Sequence, residues 1–135
     1  MSKISSQDFK KLLNAVADGW NSGDARMAAD CFTEDAVYME PPDKQLYQDK
    51  NDIFDFFGGV QGRPEPMHMT WHYLIFDEET QIGTGEYTFS YQGRISHGMV
   101  IVKIVAGKIK RWREYQYRST ETWIEFIGKS TFWKI

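Results

Sequence analysis

A chain with one cysteine cannot close a disulfide within itself, and Cys31 is the single cysteine here. Its neighbours Met27, Ala28 and Phe32 fall at helical spacing, so it reads as a small core residue rather than a nucleophile. No apolar run approaches the ~18 residues that a membrane helix needs. Met1 to Asp8 are polar, so no signal peptide is expected and the cytoplasm is the expected location. Positive charge is not in excess. Sixteen Lys and Arg stand against 19 Asp and Glu, for a net charge of -3, and no nucleic-acid partner is expected. Lys108, Lys110, Arg111, Arg113 and Arg118 do cluster, but on a strand they alternate between faces. Glycine-rich phosphate loops and a Ser-His-Asp signature are missing, so no cofactor is expected. His68 and His72 have the spacing of a metal pair on a helix. On a strand they stand ~13 Å apart at ~3.3 Å per residue, so no metal is expected.

Aromatic residues are abundant: 5 Trp, 7 Tyr and 9 Phe among 135 residues. That is more ring area than one core of this size fills, and it points to a lined cavity, a partner surface or both. The length fits a single domain, residues 1–135, with a core of its own.

Ser5 with Asp8 opens a first helix, in which Phe9, Leu12, Leu13, Val16 and Trp20 repeat at a 3.6-residue period. Gly23 is placed to end it in a left-handed conformation, and Asp24 to cap a second, short helix. That helix is expected to close with Cys31 to Ala36. A strand, Val37 to Glu40, then runs into Pro41-Pro42. A further short strand is expected at Gln45 to Tyr47, and a third helix from Asp49 until Gly58-Gly59. From Met67 onward β-branched and aromatic residues dominate four long segments, Met67–Phe76, Gln81–Tyr91, Arg94–Val105 and Lys108–Tyr117. Asp77–Thr80, Gln92-Gly93 and Ala106-Gly107 punctuate them as an antiparallel meander. The tail from Ser119 begins as a helix and carries Trp123, Phe126, Phe132 and Trp133. Helices first and a sheet after them give an α+β class.

The tight turns predict a register. Two-residue turns at Gln92-Gly93 and Ala106-Gly107 place Glu86 beside Met99, and Met99 beside Glu114. The next row is Thr88, His97 and Gln116, with Ile101 and Trp112 on the same face and Trp71 joining the Glu86 row. Acids on a face packed by helices imply a cavity there. The opposite face then collects Tyr87, Phe89, Tyr91, Val100, Val102, Arg111, Arg113, Tyr115 and Tyr117. A β-bulge in any strand would flip this assignment downstream of it.

Several of these pieces together resemble the SnoaL-like and ketosteroid-isomerase-like branch of the NTF2-like superfamily. They are Trp20-Asn21-Ser22-Gly23-Asp24, Phe32-Thr33-Glu34-Asp35-Ala36, Glu40-Pro41, and Gly107-Lys108-Ile109 leading to Trp112-Arg113-Glu114-Tyr115. The resemblance implies an NTF2-like cone, with N-terminal helices packed on a strongly bent, mostly antiparallel sheet that encloses a pocket. Ketosteroid isomerases carry a proton-transfer Asp before a Pro where Glu40 stands. Their oxyanion-hole tyrosine falls near Val16 and their protonated Asp near Ile101, so that oxyanion hole is not carried over. Limonene-epoxide-hydrolase-like members have a pocket acid at the position of Glu114, but Met99 and Ile101 stand near their other two polar groups.

The candidate catalytic residues are therefore Glu40, Glu114, Glu86 and His97. The expected pocket lining is Val16, Trp20, Tyr38, Trp71, Met99, Ile101, Trp112 and Gln116. Glu40 or Glu114 is the candidate base, and His97 is either a proton shuttle or a satisfied sheet histidine. Two readings follow. One is a cofactor-independent acid-base enzyme acting on a small, largely apolar molecule: an isomerase, polyketide cyclase, dehydratase or epoxide hydrolase. The other is a non-catalytic ligand-binding or dimerisation module. The expected partners are a small-molecule ligand and a second copy of the chain, a homodimer formed through the aromatic face.

Overall fold

A computed structural model of the chain describes residues 3–41 and 45–129. In chain order its elements are helices α1 (Ser6–Ser22) and α2 (Ala25–Ala29), strands β1 (Phe32–Met39) and β2 (Leu46–Gln48), helix α3 (Lys50–Phe56), strands β3 (His68–Asp77), β4 (Ile82–Tyr91), β5 (Arg94–Val105) and β6 (Lys108–Ser119), and helix α4 (Trp123–Gly128). Among the described residues the six strands form one sheet in the order β2-β1-β6-β5-β4-β3. Every pairing is antiparallel except β1 with β6. The result is an α+β cone: a curved, unclosed sheet with α1 to α3 against its concave side. Phe132 and Trp133 lie outside the described residues.

Local chemistry explains the helix ends. Ser5 Oγ accepts from the Asp8 N–H at 3.1 Å, and Gly23 ends α1 at φ 74°. Asp24 and Asp49 cap α2 and α3 by accepting from Met27 N and Asp52 N, each at 3.0 Å. Each such cap satisfies an amide that the helix itself leaves unpaired. Asn21 reaches past the end of α1 to the backbone of β3. It accepts from Met69 N at 2.7 Å and donates to Met69 O at 2.9 Å, so an amide side chain stands in for a partner strand.

One boundary differs from expectation. Phe32 to Ala36 belong to β1 rather than to the end of α2. Ile109 N donates to Cys31 O at 2.9 Å, and Phe32 pairs with Ile109 on β6, so sheet pairing overrides the helical pattern.

The core lies between α1 and the concave sheet. Phe9 stacks on Phe76 with ring centroids 4.4 Å apart. A Cβ on Gly83 would stand 2.3 Å from the Phe9 ring, so only glycine leaves room for it. Trp112 is the hub: fully buried, stacked on Tyr38 at 5.3 Å and packed against Trp20, Phe32 and Trp71. Truncating a ring so placed costs roughly 3–5 kcal/mol.

Candidate functional site

One extra residue decides which side chains face the cavity. β5 and β6 begin in the expected register, Val105 opposite Lys108. Two steps on, Ile104 pairs with Ile109 but Lys103 pairs with Arg111. Lys110 is the added residue, a bulge that reverses the faces of everything after it. Its ammonium is tied to Asp35 of β1. Glu114 therefore stands opposite Val100 rather than Met99, and Gln116 opposite Gly98.

The expected row of Glu86, Met99 and Glu114 is corrected accordingly. Glu86 does pair with Met99, but that pair lies on the convex side, where Met99 is 50% exposed. Ile101 is also on the convex face, and Glu86 takes a hydrogen bond from Tyr73 there. Glu114 and Trp112 point inward, 3% and 0% exposed. The expected aromatic face splits as well. Tyr87, Phe89 and Tyr91 turn to the concave side, while Tyr115 and Tyr117 stay on the convex side with Arg111 and Arg113. A second bulge, at His72, puts Trp71 opposite Tyr87 and Tyr73 opposite Glu86. Trp71 and Val16 then pack beside the cavity rather than lining it; Trp71 Nε1 donates to Leu13 O at 2.9 Å.

A cavity of about 180 Å³ remains, walled by Trp20, Tyr38, Glu40, Phe56, Phe57, Arg63, Met67, Tyr87, Phe89, Tyr91, Glu114 and Gln116. That space suits a small ligand. Trp20, Tyr38, Glu40, Glu114 and Gln116 are sequence candidates that line it. Arg63, Phe56, Phe57 and Met67 were not foreseen. They come from α3 and the loop after it, whose reach depends on Gly58, Gly59 and Gly62 at φ 132°, 62° and 75°.

Its polar wall is a hydrogen-bonded chain. Tyr38 Oη lies 2.8 Å from Glu40 Oε2 and 2.7 Å from Glu114 Oε1. Trp112 Nε1 donates to Glu114 Oε1 at 2.7 Å, and the Tyr87 hydroxyl donates to Glu114 Oε2. Tyr87 can lie flat enough to do so because its strand partner is Gly98, where a Cβ would come within 2.6 Å of Tyr87 Oη.

Proton counting fixes the roles. A phenol has one proton, so Tyr38 donates to one carboxyl and must accept from the other. Tyr38, Tyr87 and Trp112 all hydrogen-bond to Glu114, and Glu40 shares a direct hydrogen bond with it as well, so a proton must lie between the two carboxyls. Glu40 is then the carboxyl that keeps its proton. Burial, then the Glu114 charge, pushes Glu40 up to about 9 from an ordinary 4.5. Burial and the same charge raise Tyr38 and Tyr87 well above the usual phenol range, so both remain donors.

Arg63 is the cation of this wall. It donates through Nη2 to Phe56 O, and its guanidinium carbon lies 5.7 Å from the Phe56 ring centre and 5.4 Å from that of Tyr91. Among the described residues it makes no ion pair. Its Nε and the Nε1 of Trp20 are buried without a hydrogen-bond partner.

His97 faces away from this centre. It is buried under α4, with Nδ1 2.9 Å from Thr88 Oγ1 and Nε2 2.9 Å from Glu121 O. Phe126 stacks on it at 4.6 Å. His72 also reaches Thr88 Oγ1, at 2.6 Å, and stacks on Trp123 at 3.8 Å. Among the described residues no cluster of His, Cys, Asp and Glu has the form of a metal site, and no helix is long and apolar enough to cross a membrane.

A bent sheet closed by N-terminal helices over a carboxyl-bearing cavity defines the chain as an NTF2-like cone protein. More narrowly, it belongs to the SnoaL-like domain family, whose model matches residues 13–112. Its fold is similar to that of a protein of unknown function with a cystatin-like fold from Methylobium petroleophilum (20% identity, TM-score 0.72, covering 90% of this chain and 82% of that one). It is also similar to an NTF-2-like protein of unknown function from Burkholderia xenovorans (19%, 0.66, 89% and 92%). A third likeness is to an LEH-like epoxide hydrolase from M. tuberculosis (16%, 0.65, 82% and 84%). No curated protein matches the sequence.

Proposed function

We propose that the chain is a cofactor-independent acid-base enzyme acting on a small, largely apolar molecule held in this cavity. The observation that carries the reading is the Glu40–Tyr38–Glu114 chain, in which two carboxyls share one phenol at a cavity wall. Glu40 is the proton carrier, because the oxygens of Glu114 are already taken by Tyr38, Tyr87 and Trp112. Glu114 is the positioning residue that keeps Glu40 protonated and the phenols aligned.

Such a pair favours reactions that give and retrieve one proton. Glu40 protonates an oxygen or carbon of the substrate. Its carboxylate then faces the Glu114 charge, and two ionised carboxyls held that close are unfavourable. Glu40 therefore regains a proton from another position of the substrate or from an attacking hydroxyl. Isomerisation, cyclisation, dehydration and epoxide opening all have this form. The likeness to an epoxide hydrolase of the same fold agrees with that range.

Infrared titration tests the pair without a substrate. A protonated-carboxyl C=O band should persist at neutral pH in the wild type and vanish in Glu40→Gln. If every carboxyl of the wild type is ionised at neutral pH, the acid-base reading fails and a binding module takes its place.

The reading includes a homodimer. Met99, Ile101, Tyr115 and Tyr117 stand 39–62% exposed together on the convex sheet, an apolar surface that a second copy would cover. Light scattering should give twice the chain mass, and a monomer at micromolar concentration would refute it.

A further inference from the structure

Arg63 is the feature of the cavity that the proton chemistry leaves unused. It sits where the cavity meets a second hollow of about 300 Å³ between the end of α1 and the loop from Gln61 to Met67, and it lines both. The rest of the cavity wall is aromatic apart from Met67, Gln116 and the two acids. A half-buried guanidinium normally finds a carboxylate, since an unpaired charge away from water is costly. Arg63 finds only the Phe56 carbonyl and two ring faces. Its Nε is left without a partner.

Among the described residues no acid pairs with it, including Glu65, which lines the second hollow beside it. Glu40 holds its own proton, and Glu114 is committed to Tyr38, Tyr87 and Trp112. The wall thus carries one satisfied anion and one unsatisfied cation. A bound anion would leave Glu114 undisturbed and complete the coordination of Arg63. A neutral ligand would leave the guanidinium as it is.

We infer that the substrate carries a carboxylate, which Arg63 binds at the junction of the two hollows while the apolar body lies between the aromatic walls near Glu40. This rests on the acid-base reading for what happens near Glu40, but the binding step stands apart from it. A carboxylate matches the planar donor geometry of a guanidinium and gains charge-assisted hydrogen bonds there. The ring faces of Phe56 and Tyr91 hold the guanidinium in place beforehand.

The test uses benzoate and benzamide, which share a shape and differ in charge. Binding is followed by ligand-observed NMR on the wild type, Arg63→Met and Glu40→Gln. Benzoate should bind the wild type about tenfold or more tighter than benzamide, the gain of a charge-assisted contact. Arg63→Met should abolish that preference, with unchanged circular dichroism. Glu40→Gln should keep it, because Glu40 is neutral in either form. Equal binding of the two probes to the wild type, a preference surviving in Arg63→Met, or no benzoate binding at millimolar concentration would each overturn the assignment. Loss of the infrared carboxyl band with the benzoate preference intact would instead remove the acid-base reading and leave the carboxylate site standing.

Discussion

The two faces of the sheet carry the same arrangement with opposite consequences. On the concave side a hydroxyl, that of Tyr38, bridges two titratable groups, Glu40 and Glu114. On the convex side a hydroxyl, that of Thr88, bridges His72 and His97. The convex chain closes on itself. His97 Nε2 faces a carbonyl, so it carries the hydrogen there, and its Nδ1 accepts from Thr88. The threonine oxygen then accepts from His72 Nε2. Every donor has an acceptor, and Trp123 and Phe126 of α4 roof the rings. The concave chain instead ends on Glu40, which borders an open cavity with a proton it can give. Bridged titratable groups therefore do not by themselves define a site. A bordering cavity and a protonated carboxyl mark a candidate one.

The largest expected difference between the two faces is in rate. Glu40→Gln keeps the shape and removes the proposed proton carrier, so turnover of any substrate found should fall ~10²–10⁴-fold. His97→Asn should leave turnover nearly unchanged. Steady-state kinetics on the two variants checks the pair, and equal losses would erase the distinction between the faces.

The pH dependence of stability is the next test. Glu40 holds its proton in the folded state up to about 9, against an ordinary 4.5. Between those values the folded chain binds a proton that the unfolded chain has released, so stability falls as pH rises. The contribution is fully present below about 4.5 and lost as pH rises through about 9, with a slope of at most ~1.4 kcal/mol per pH unit for one proton. Urea unfolding across that window should show the slope in the wild type. Glu40→Gln should flatten it. An unchanged slope in Glu40→Gln would contradict the burial of this acid.

Much of the frame was legible in the sequence. Ser5, Asp24, Asp49 and Gly23 act where side-chain capping chemistry puts them. The turns at Gln92-Gly93 and Ala106-Gly107 set the meander, and Glu86 opposite Met99 follows from the first of them. Glu114 was expected in a row with Glu86 and Met99 but stands opposite Val100 on the concave side, and Trp112 packs in the core behind the cavity rather than lining it: the faces of β6 turn on Lys110, and nothing about a lysine in a strand announces a bulge. Arg63 was invisible for another reason. Its meaning depends on Phe56 and Tyr91, which lie 7 and 28 positions away along the chain and meet it only in the fold. The Trp20 to Asp24 stretch was readable as a helix end, yet the grip of Asn21 on Met69 needs the position of β3.

A glycine on the concave face gives the next smaller effect. Gly98→Ala puts a methyl 2.6 Å from Tyr87 Oη and 2.8 Å from Tyr115 O, and the backbone contact cannot yield easily. Overpacking of this kind costs about 1–3 kcal/mol. Because Tyr87 must withdraw from Glu114, the infrared band of Glu40 should shift as well. Lost stability without a band shift would mean that Tyr87 has no part in the carboxyl chain.

The smallest expected effect tests the closed chain itself. His97→Asn removes the ring that Phe126 stacks on and cannot reproduce both hydrogen bonds, to Thr88 Oγ1 and to Glu121 O. One lost bond of this kind is worth about 1 kcal/mol. The loss should be local, because α4 buries none of its own residues fully and is held by Trp123, Phe126 and its capping box. Amide exchange should therefore speed up in the α4 amides, about fivefold for 1 kcal/mol, while the amides of β1 and β6 beside the cavity keep their protection. If exchange rose equally around Glu40 and Glu114, the two faces would be one cooperative network. The convex histidines would then be part of the site rather than its counterexample.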